Sequence, residues 1–141
     1  MKRDLRPPKQ VFLSHATRDR KWADRIAGLL RRRGVAVWYS RTHLRGAQQW
    51  QHEIGAALKR CDWFLVILSP SAVESIWVKR ELSYALNQSR YEDKIIPVLV
   101  RDCHYERLHR TLAGFQMIKL TAGFAAASRE LLRIWGLHHK L

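Results

Sequence analysis

Trp77 and Glu81 are the residues of this chain whose types and spacing point most directly to chemistry. They lie four positions apart in a segment with helical apolar spacing, so the side chains would lie next to each other on one helix. A carboxylate can accept hydrogen bonds and stabilise developing positive charge, and an indole can stack on a planar group. The ordinary alternatives are a solvent-facing glutamate paired with a nearby Lys or Arg, and a tryptophan that fills an edge of the core.

The ends of two strongly apolar runs supply a second group of candidates. Ser14, His15 and Ala16 end the run that begins at Gln10, and Ser69 follows the most apolar run of the chain. If these runs are parallel strands, their carboxyl ends meet at one edge of a sheet, where α/β proteins bind ligands. We therefore expect these residues at a binding site, although a histidine at a strand end is more often an ordinary hydrogen-bonding partner.

A polar segment, residues 40–49, follows another apolar run and adds Ser40 and Arg45 to the candidates. Trp50 begins the next helical pattern and is close enough along the chain to reach the same site. By default, Ser40 and Arg45 are polar loop residues and Trp50 belongs to an apolar stripe. Trp22 and Trp63 belong to such stripes as well, and we expect both in the core.

Short apolar runs that alternate with helical patterns predict the elements that must position these residues. The predicted strands are 10–14, 35–39, 63–68, 95–100 and 115–120. The predicted helices begin near residues 17, 50, 73 and 125 and end near residues 33, 60, 87 and 135, with a short helical segment near 105–112. Gly34 is expected to stop the first helix.

This alternation predicts an α/β fold, a flavodoxin-like, doubly wound, five-stranded parallel sheet with helices on both faces. One domain is expected over residues 10–137, with 1–9 as an N-terminal extension and 138–141 as a C-terminal tail. Pro97 lies inside the fourth strand and has no backbone donor, so an edge position or a distortion of the ladder is expected there.

Several ligand-binding and catalytic motifs are missing at the predicted edge. The sequence contains neither GxGxxG after the first strand nor GxxxxGK[ST], the fingerprints of ordinary dinucleotide and P-loop sites. A phosphate-receiver domain needs acidic residues where Ser14 and Ser69 stand. Ser69 is not in a GxSxG elbow, and no histidine is placed as an evident base, so a nucleophilic triad is not supported.

The chain is strongly basic, with 26 Lys and Arg against 12 Asp and Glu, a formal net charge of +14. The basic residues are spread along the chain and are not grouped with aromatic residues on one element, which argues against sequence-specific nucleic-acid binding. Nucleic acid is not expected as a partner, and attraction of a phosphorylated ligand is a simpler use of the charge.

The sequence lacks a long apolar segment, and the charged N-terminus lacks the apolar region of a secretory signal. We expect a soluble, cytoplasmic protein with no membrane partner. Cys61 and Cys103 lie far apart without metal-ligand spacing, so both are interpreted as reduced thiols and no metal is expected.

Three sequence features together resemble a bacterial TIR (Toll/interleukin-1 receptor-like) domain. The first is Val11-Phe12-Leu13-Ser14-His15-Ala16, the second is the strand Val37-Trp38-Tyr39 before a polar loop, and the third is Leu68-Ser69-Pro70 followed by Trp77-Val78-Lys79-Arg80-Glu81-Leu82. The resemblance covers roughly residues 9 to 120. It implies a flavodoxin-like fold and, in the enzymatic branch of the family, cleavage of NAD⁺ to nicotinamide and ADP-ribose or a cyclic variant.

The family's catalytic glutamate falls on Glu81, and its site-lining tryptophan falls on Trp77. The resemblance therefore implies that NAD⁺ is a substrate, with Arg45 or backbone N–H groups of Ser14 to Ala16 holding the pyrophosphate. The loop departs from its relatives, which often have aromatic-Asp where this chain has Tyr39-Ser40 and Arg-Pro-Gly where it has Arg45-Gly46-Ala47. The exact role of the loop is therefore left open.

A second function fits the same resemblance, because many TIR domains are adaptors that bind other TIR domains without catalysis. The two combine where an enzyme becomes active only on self-association. The enzyme interpretation implies a role in defence or signalling, with a separate effector or sensor protein as a further partner.

Overall fold

The computed structural model describes residues 7–39 and 50–137, with backbone alone for residues 50 and 51. Five strands form one sheet: β1 Gln10–Ser14, β2 Ala36–Trp38, β3 Trp63–Leu68, β4 Ile95–Leu99 and β5 Ile118–Lys119. Their order across the sheet is β2-β1-β3-β4-β5, and all four pairings are parallel. The predicted doubly wound α/β fold is confirmed.

Five α-helices accompany the sheet in the described part of the chain. They are α1 Arg20–Arg32, α2 Gly55–Arg60, α3 Pro70–Val73, α4 Ile76–Leu86 and α5 Phe124–Ile134. A π-helical turn, Trp50–Ile54, leads into α2, and a 3₁₀ turn, Thr17–Asp19, leads into α1. Among the described residues, no helix combines the length and the apolar character that crossing a membrane requires.

The helix predicted from residue 73 to 87 corresponds to α4, Ile76–Leu86, and the short helix α3 that precedes it was not predicted. Ser69 caps α3, with Pro70 in the first turn, and Ser75 is extended and caps α4. The Ser75 Oγ accepts a hydrogen bond from the backbone N–H of Val78 at 3.2 Å. Capping satisfies a backbone donor that a helix start leaves unpaired, and it fixes where α4 begins.

Gly34 ends α1 as predicted. Its φ of +81° lies in the left-handed region that glycine adopts without strain, and its N–H donates to the carbonyl of Arg31 at 3.0 Å. The next N–H, of Val35, donates to Leu30 at 3.0 Å, which turns the chain directly into β2.

Pro97 does not lie on an edge strand, so the first of the two expected alternatives is wrong. It pairs with Val66 in the register of β3 and β4, and β4 lies between β3 and β5. The N–H of Val100 donates to β3, so the alternation of a parallel strand turns the nitrogen of residue 97 toward β5. Because β5 begins opposite Val98, Pro97 meets no ladder acceptor on that side.

The sheet separates two apolar cores. Successive side chains of a strand point to opposite faces, so Val11 and Leu13 pack with α1 and α5, whereas Phe12 packs with α2 and α4. Trp63 is buried as expected, whereas Trp22 is only half-buried at the margin of the first core. Cys61 and Cys103 are both free thiols.

Candidate functional site at the carboxyl edge of the sheet

Glu81 lies inside the buried stripe of α4. The buried residues of this helix are Val78, Glu81, Leu82 and Ala85, the spacing of one helix face. Glu81 therefore shares the packing face of α4 with apolar side chains. Glu81 is only 6% exposed, so its carboxylate is a polar group set into an apolar surface.

Ser14 is the partner of this carboxylate. It follows Phe12 by two residues on β1, so its side chain leaves the sheet on the face that α4 covers. The Ser14 Oγ donates a hydrogen bond to Glu81 Oε1 at 2.6 Å, and Ser14 is 1% exposed. The carboxyl end of β1 and the second turn of α4 are therefore joined through two buried side chains.

Burial makes Glu81 electrostatically unusual. Loss of hydration raises the pKa of its carboxyl from 4.5 to about 7, and the hydrogen bond from Ser14 acts in the opposite direction. In the described part of the chain, no Lys or Arg forms an ion pair with it. The alternative of a solvent-facing, ion-paired glutamate is therefore wrong.

Trp77 is half-buried and lies one helical turn before Glu81 on α4. The guanidinium carbon of Arg80 lies 5.4 Å from the centre of the Trp77 ring, a cation–π contact that orients the indole on the helix surface. The structure thus places an aromatic ring and a carboxylate on the same two turns of one helix.

The turn after β1 uses the backbone oxygen of Ala16 twice. This carbonyl accepts from the N–H of Asp19 at 2.9 Å and contacts His15 Nδ1 at 2.8 Å. Since a carbonyl only accepts, Nδ1 carries the hydrogen in this contact. The His15 ring also lies edge-on to Tyr39, with 5.6 Å between the ring centres. The predicted roles of His15 and Ala16 toward a ligand stay predictions.

Ser69 holds two loops together. Its Oγ accepts from the N–H of Ala72 at 3.0 Å and donates to Asp19 Oδ2 at 2.5 Å. Ser69 is buried, and its hydroxyl serves the local structure, while its predicted contact with a ligand stays a prediction. Sequence reasoning missed Asp19, because an acidic residue just before a helix is typical of an N-cap, a role its side chain does not have here.

Three of the predicted site residues cannot be placed in the structure. Ser40 and Arg45 lie outside the described residues, as does the side chain of Trp50. Within the described ranges, no cluster of His, Cys, Asp or Glu could hold a metal ion.

A groove of about 870 Å³ opens at the opposite, amino edge of the sheet. Its walls include Trp63, Tyr91 and Ile95, and none of the predicted site residues that the structure describes lines it. Because ligands of parallel sheets bind at the carboxyl edge, Glu81 marks the better candidate site.

Known proteins resemble both the sequence and the fold. NAD(+) hydrolase TcpC from Escherichia coli O6:H1 is 30% identical over 90 residues, 62% of this chain and 29% of the relative. The 2' cyclic ADP-D-ribose synthase BtTIR from Bacteroides thetaiotaomicron is 32% identical over 93 residues, 64% of this chain and 32% of the relative. The chain thus matches about a third of the length of these relatives.

A crystal structure of the TIR domain of the Toll-related receptor TRR-2 from Hydra magnipapillata has a TM-score of 0.70 at 20% identity. The match covers 87% of this chain and 94% of that one. A family model described as the TIR domain matches residues 11–132, most of the sequence. This chain therefore belongs to the TIR domain family.

Proposed function

We propose that this protein cleaves the bond between nicotinamide and ribose in NAD⁺, with Glu81 as the catalytic carboxylate. The observation that carries the proposal is a buried glutamate without a cationic partner among the described residues, at the edge where parallel sheets bind ligands. Burying a carboxylate costs stability, and a fold retains such a group most often where it performs a function.

Relatives supply the substrate class. Those with 30% and 32% identity are named as an NAD⁺ hydrolase and a cyclic ADP-ribose synthase. A further relative, from Paracoccus denitrificans, is also named as an NAD⁺ hydrolase, at 29% identity over 94 residues. Members of one family can differ in activity, so the assignment of NAD⁺ cleavage to this chain must rest on the chemistry of its own site.

The reaction requires little from the protein besides one anionic side chain. The bond between the ribose C1′ and the nicotinamide nitrogen breaks, and its electron pair stays on nicotinamide, which leaves as a neutral molecule. The sugar passes through an oxocarbenium-like state, which a nearby carboxylate stabilises while it accepts a hydrogen bond from a ribose hydroxyl. Water then adds to C1′ and releases a proton, giving ADP-ribose; in a cyclase, a hydroxyl of the same ADP-ribose replaces water.

The remaining roles belong to the same proposal. Trp77 stacks on nicotinamide or adenine, and Arg45 with the backbone N–H groups of Ser14 to Ala16 holds the pyrophosphate. Ser40 and Trp50 line the rest of the pocket. If NAD⁺ is consumed, a role in bacterial defence or signalling follows, in the cytoplasm and with a separate effector or sensor protein.

The test compares nicotinamide release from NAD⁺ by the wild-type chain, Glu81→Gln and Glu130→Gln. Glu130 is an exposed glutamate on α5, so its variant controls for loss of a negative charge elsewhere. We expect turnover in the wild type and in Glu130→Gln and none in Glu81→Gln. Turnover that persists in Glu81→Gln contradicts the assignment of the carboxylate, and no turnover in the wild type, even concentrated with crowding agents, contradicts the activity.

A second function is association with another copy of this domain, alone or as the trigger of catalysis. Ile76, at the start of α4, favours it because this large apolar side chain is 60% exposed directly before Trp77. Sedimentation velocity of the wild type and Ile76→Ser at rising concentration tests it. We expect the wild type to self-associate and the variant to do so more weakly; equal behaviour contradicts a role for Ile76.

A further inference from the structure

The hydrogen bond between Ser14 and Glu81 occupies one particular oxygen of the carboxylate. Ser14 Oγ donates to Oε1 at 2.6 Å, a short bond of the kind that a hydroxyl makes to an anionic oxygen. Among the described residues, no group hydrogen-bonds to Oε2. The two oxygens are therefore unequal before any ligand arrives.

The surroundings of Glu81 leave this hydroxyl as its main polar neighbour. Neither β1 nor β3, the strands that α4 covers, contains a titratable residue, and α3 contains none either. The 3₁₀ turn Ser89–Tyr91, which also packs on α4, contributes Arg90 and Tyr91; Arg90 is exposed, and the Tyr91 hydroxyl donates to the carbonyl of Leu58.

Charged groups on and near α4 lie outside this contact. Lys79 and Arg80 are exposed, and Glu74 pairs with Arg107 at 3.8 Å on the surface. His15 follows Ser14, but its Nδ1 is turned to the Ala16 carbonyl. Within the described ranges, burial and the Ser14 hydroxyl are the two influences on the ionisation of Glu81, and they act in opposite directions.

We infer that Ser14 is a positioning residue that holds Glu81 through Oε1, so that Oε2 is presented to the substrate hydroxyl in a fixed orientation. The inference rests on the proposed function, and it assigns the Ser14 side chain a role different from a direct ligand contact. A hydroxyl that donates to the anion also favours the ionised form of a carboxyl that burial would otherwise keep protonated. Ser14 thereby sets both the direction of the carboxylate and the pH at which it is charged.

The first measurement does not depend on activity. The Glu81 carboxyl is titrated by carbon-13 NMR in protein labelled at glutamate, in the wild type, Ser14→Ala, Ser14→Thr and Ser128→Ala. Ser128 donates to the Phe124 carbonyl at 2.7 Å on α5, so its variant controls for loss of a serine hydrogen bond away from the site. We expect the midpoint to rise by about one pH unit, a tenfold weaker acid, in Ser14→Ala. It should stay near the wild-type value in Ser14→Thr and Ser128→Ala.

The second measurement is the pH profile of NAD⁺ cleavage. In Ser14→Ala, the acid limb of kcat/KM should move upward with the NMR midpoint, and above that limb kcat should fall while KM changes little, because the carboxylate is less well oriented. Ser14→Thr, which keeps a hydroxyl, should recover most of the loss. A structural role alone would lower the amount of folded protein without moving the limb.

Two outcomes overturn the inference. One is a Glu81 midpoint that is the same in Ser14→Ala and the wild type, and the other is a Ser14→Ala profile that is lowered uniformly at all pH values. If Ser14→Ala does not fold, Ser14→Cys takes its place, and its weaker donor should move the midpoint in the same direction by less. A midpoint that moves in a chain without NAD⁺ turnover would contradict the proposed function and leave the link between Ser14 and Glu81 intact.

Discussion

Ser69 and Asp19 tie together the loops that follow β3 and β1. The Ser69 hydroxyl donates to Asp19 Oδ2 at 2.5 Å, and Ser69 Oγ accepts from the N–H of Ala72 in α3. Asp19 is 7% exposed, and no Lys or Arg in the described residues pairs with it. One serine therefore caps a helix and donates a hydrogen bond to a buried carboxylate close to the candidate site.

Ser69→Ala should destabilise the fold by about 2 kcal/mol, because it removes a cap and leaves Asp19 without its donor. Urea denaturation measures the change in the free energy of unfolding. Ser83→Ala, on the half-exposed side of α4, serves as the control and should have little effect. Equal stability of the two variants would show that the bond between Ser69 and Asp19 contributes nothing net.

Much of the fold is readable from the sequence because its signals are local. The strands 10–14 and 63–68 have the bounds predicted from their apolar runs, and Gly34 stops α1. Serine caps at Ser69 and Ser75 are local signals too, yet the prediction did not include α3, the short helix that begins right after Ser69.

The predictions that failed concern features that depend on tertiary packing. Sequence spacing identified Glu81, but it could not reveal that α4 turns this residue toward the sheet and against Ser14. The contact between Asp19 and Ser69 joins residues 50 positions apart, and no periodicity in the sequence indicates it. Pro97 was misjudged for the same reason, since the length of β5 decides whether its missing donor matters.

Glu81→Gln should stabilise the protein in a pH-dependent way. Folding raises the pKa of this carboxyl from 4.5 to about 7, so the folded state holds a proton that the unfolded state has released. Stability from this group is complete below about pH 4.5 and is lost as the pH rises through 7. Glutamine does not ionise and avoids this loss. At pH 8 the free energy of unfolding of Glu81→Gln should therefore exceed that of the wild type by on the order of 3 kcal/mol.

Guanidinium unfolding at pH 5 and pH 8 checks this prediction. The difference between Glu81→Gln and the wild type should be small at the lower pH and large at the higher one. Glu130→Gln, on exposed α5 surface, should show no such growth. A Glu81→Gln difference that is the same at both pH values would mean that Glu81 ionises normally.

The activity should depend on pH in the opposite sense to the stability. The carboxylate must be charged to stabilise the oxocarbenium-like state, and the pKa of Glu81 is about 7. The kcat/KM for NAD⁺ should therefore rise with pH, reach a plateau above about pH 8, and fall about tenfold per unit at the acid end. A profile that is flat between pH 5 and 8 would contradict Glu81 as the ionising group.

Trp77 should contribute to substrate binding through its ring and less to folding than a core residue, because it is only half-buried. Stacking of a base on an aromatic side chain contributes about 1 to 3 kcal/mol, so Trp77→Ala should lower kcat/KM for NAD⁺ by about fivefold to about a hundredfold. Trp77→Phe keeps an aromatic face and should lose less.

Trp22 provides a matched control, since it is also half-buried and has a guanidinium, that of Arg25, 5.2 Å from its ring centre. Trp22 lies on α1, on the face of the sheet opposite α4. Steady-state kinetics with folding checked by circular dichroism should show a loss for Trp77→Ala and wild-type kcat/KM for folded Trp22→Ala. Of the two tryptophans, only Trp77 shares a helix with Glu81. Equal losses in both variants would therefore indicate a general effect of removing a surface indole and would contradict the prediction.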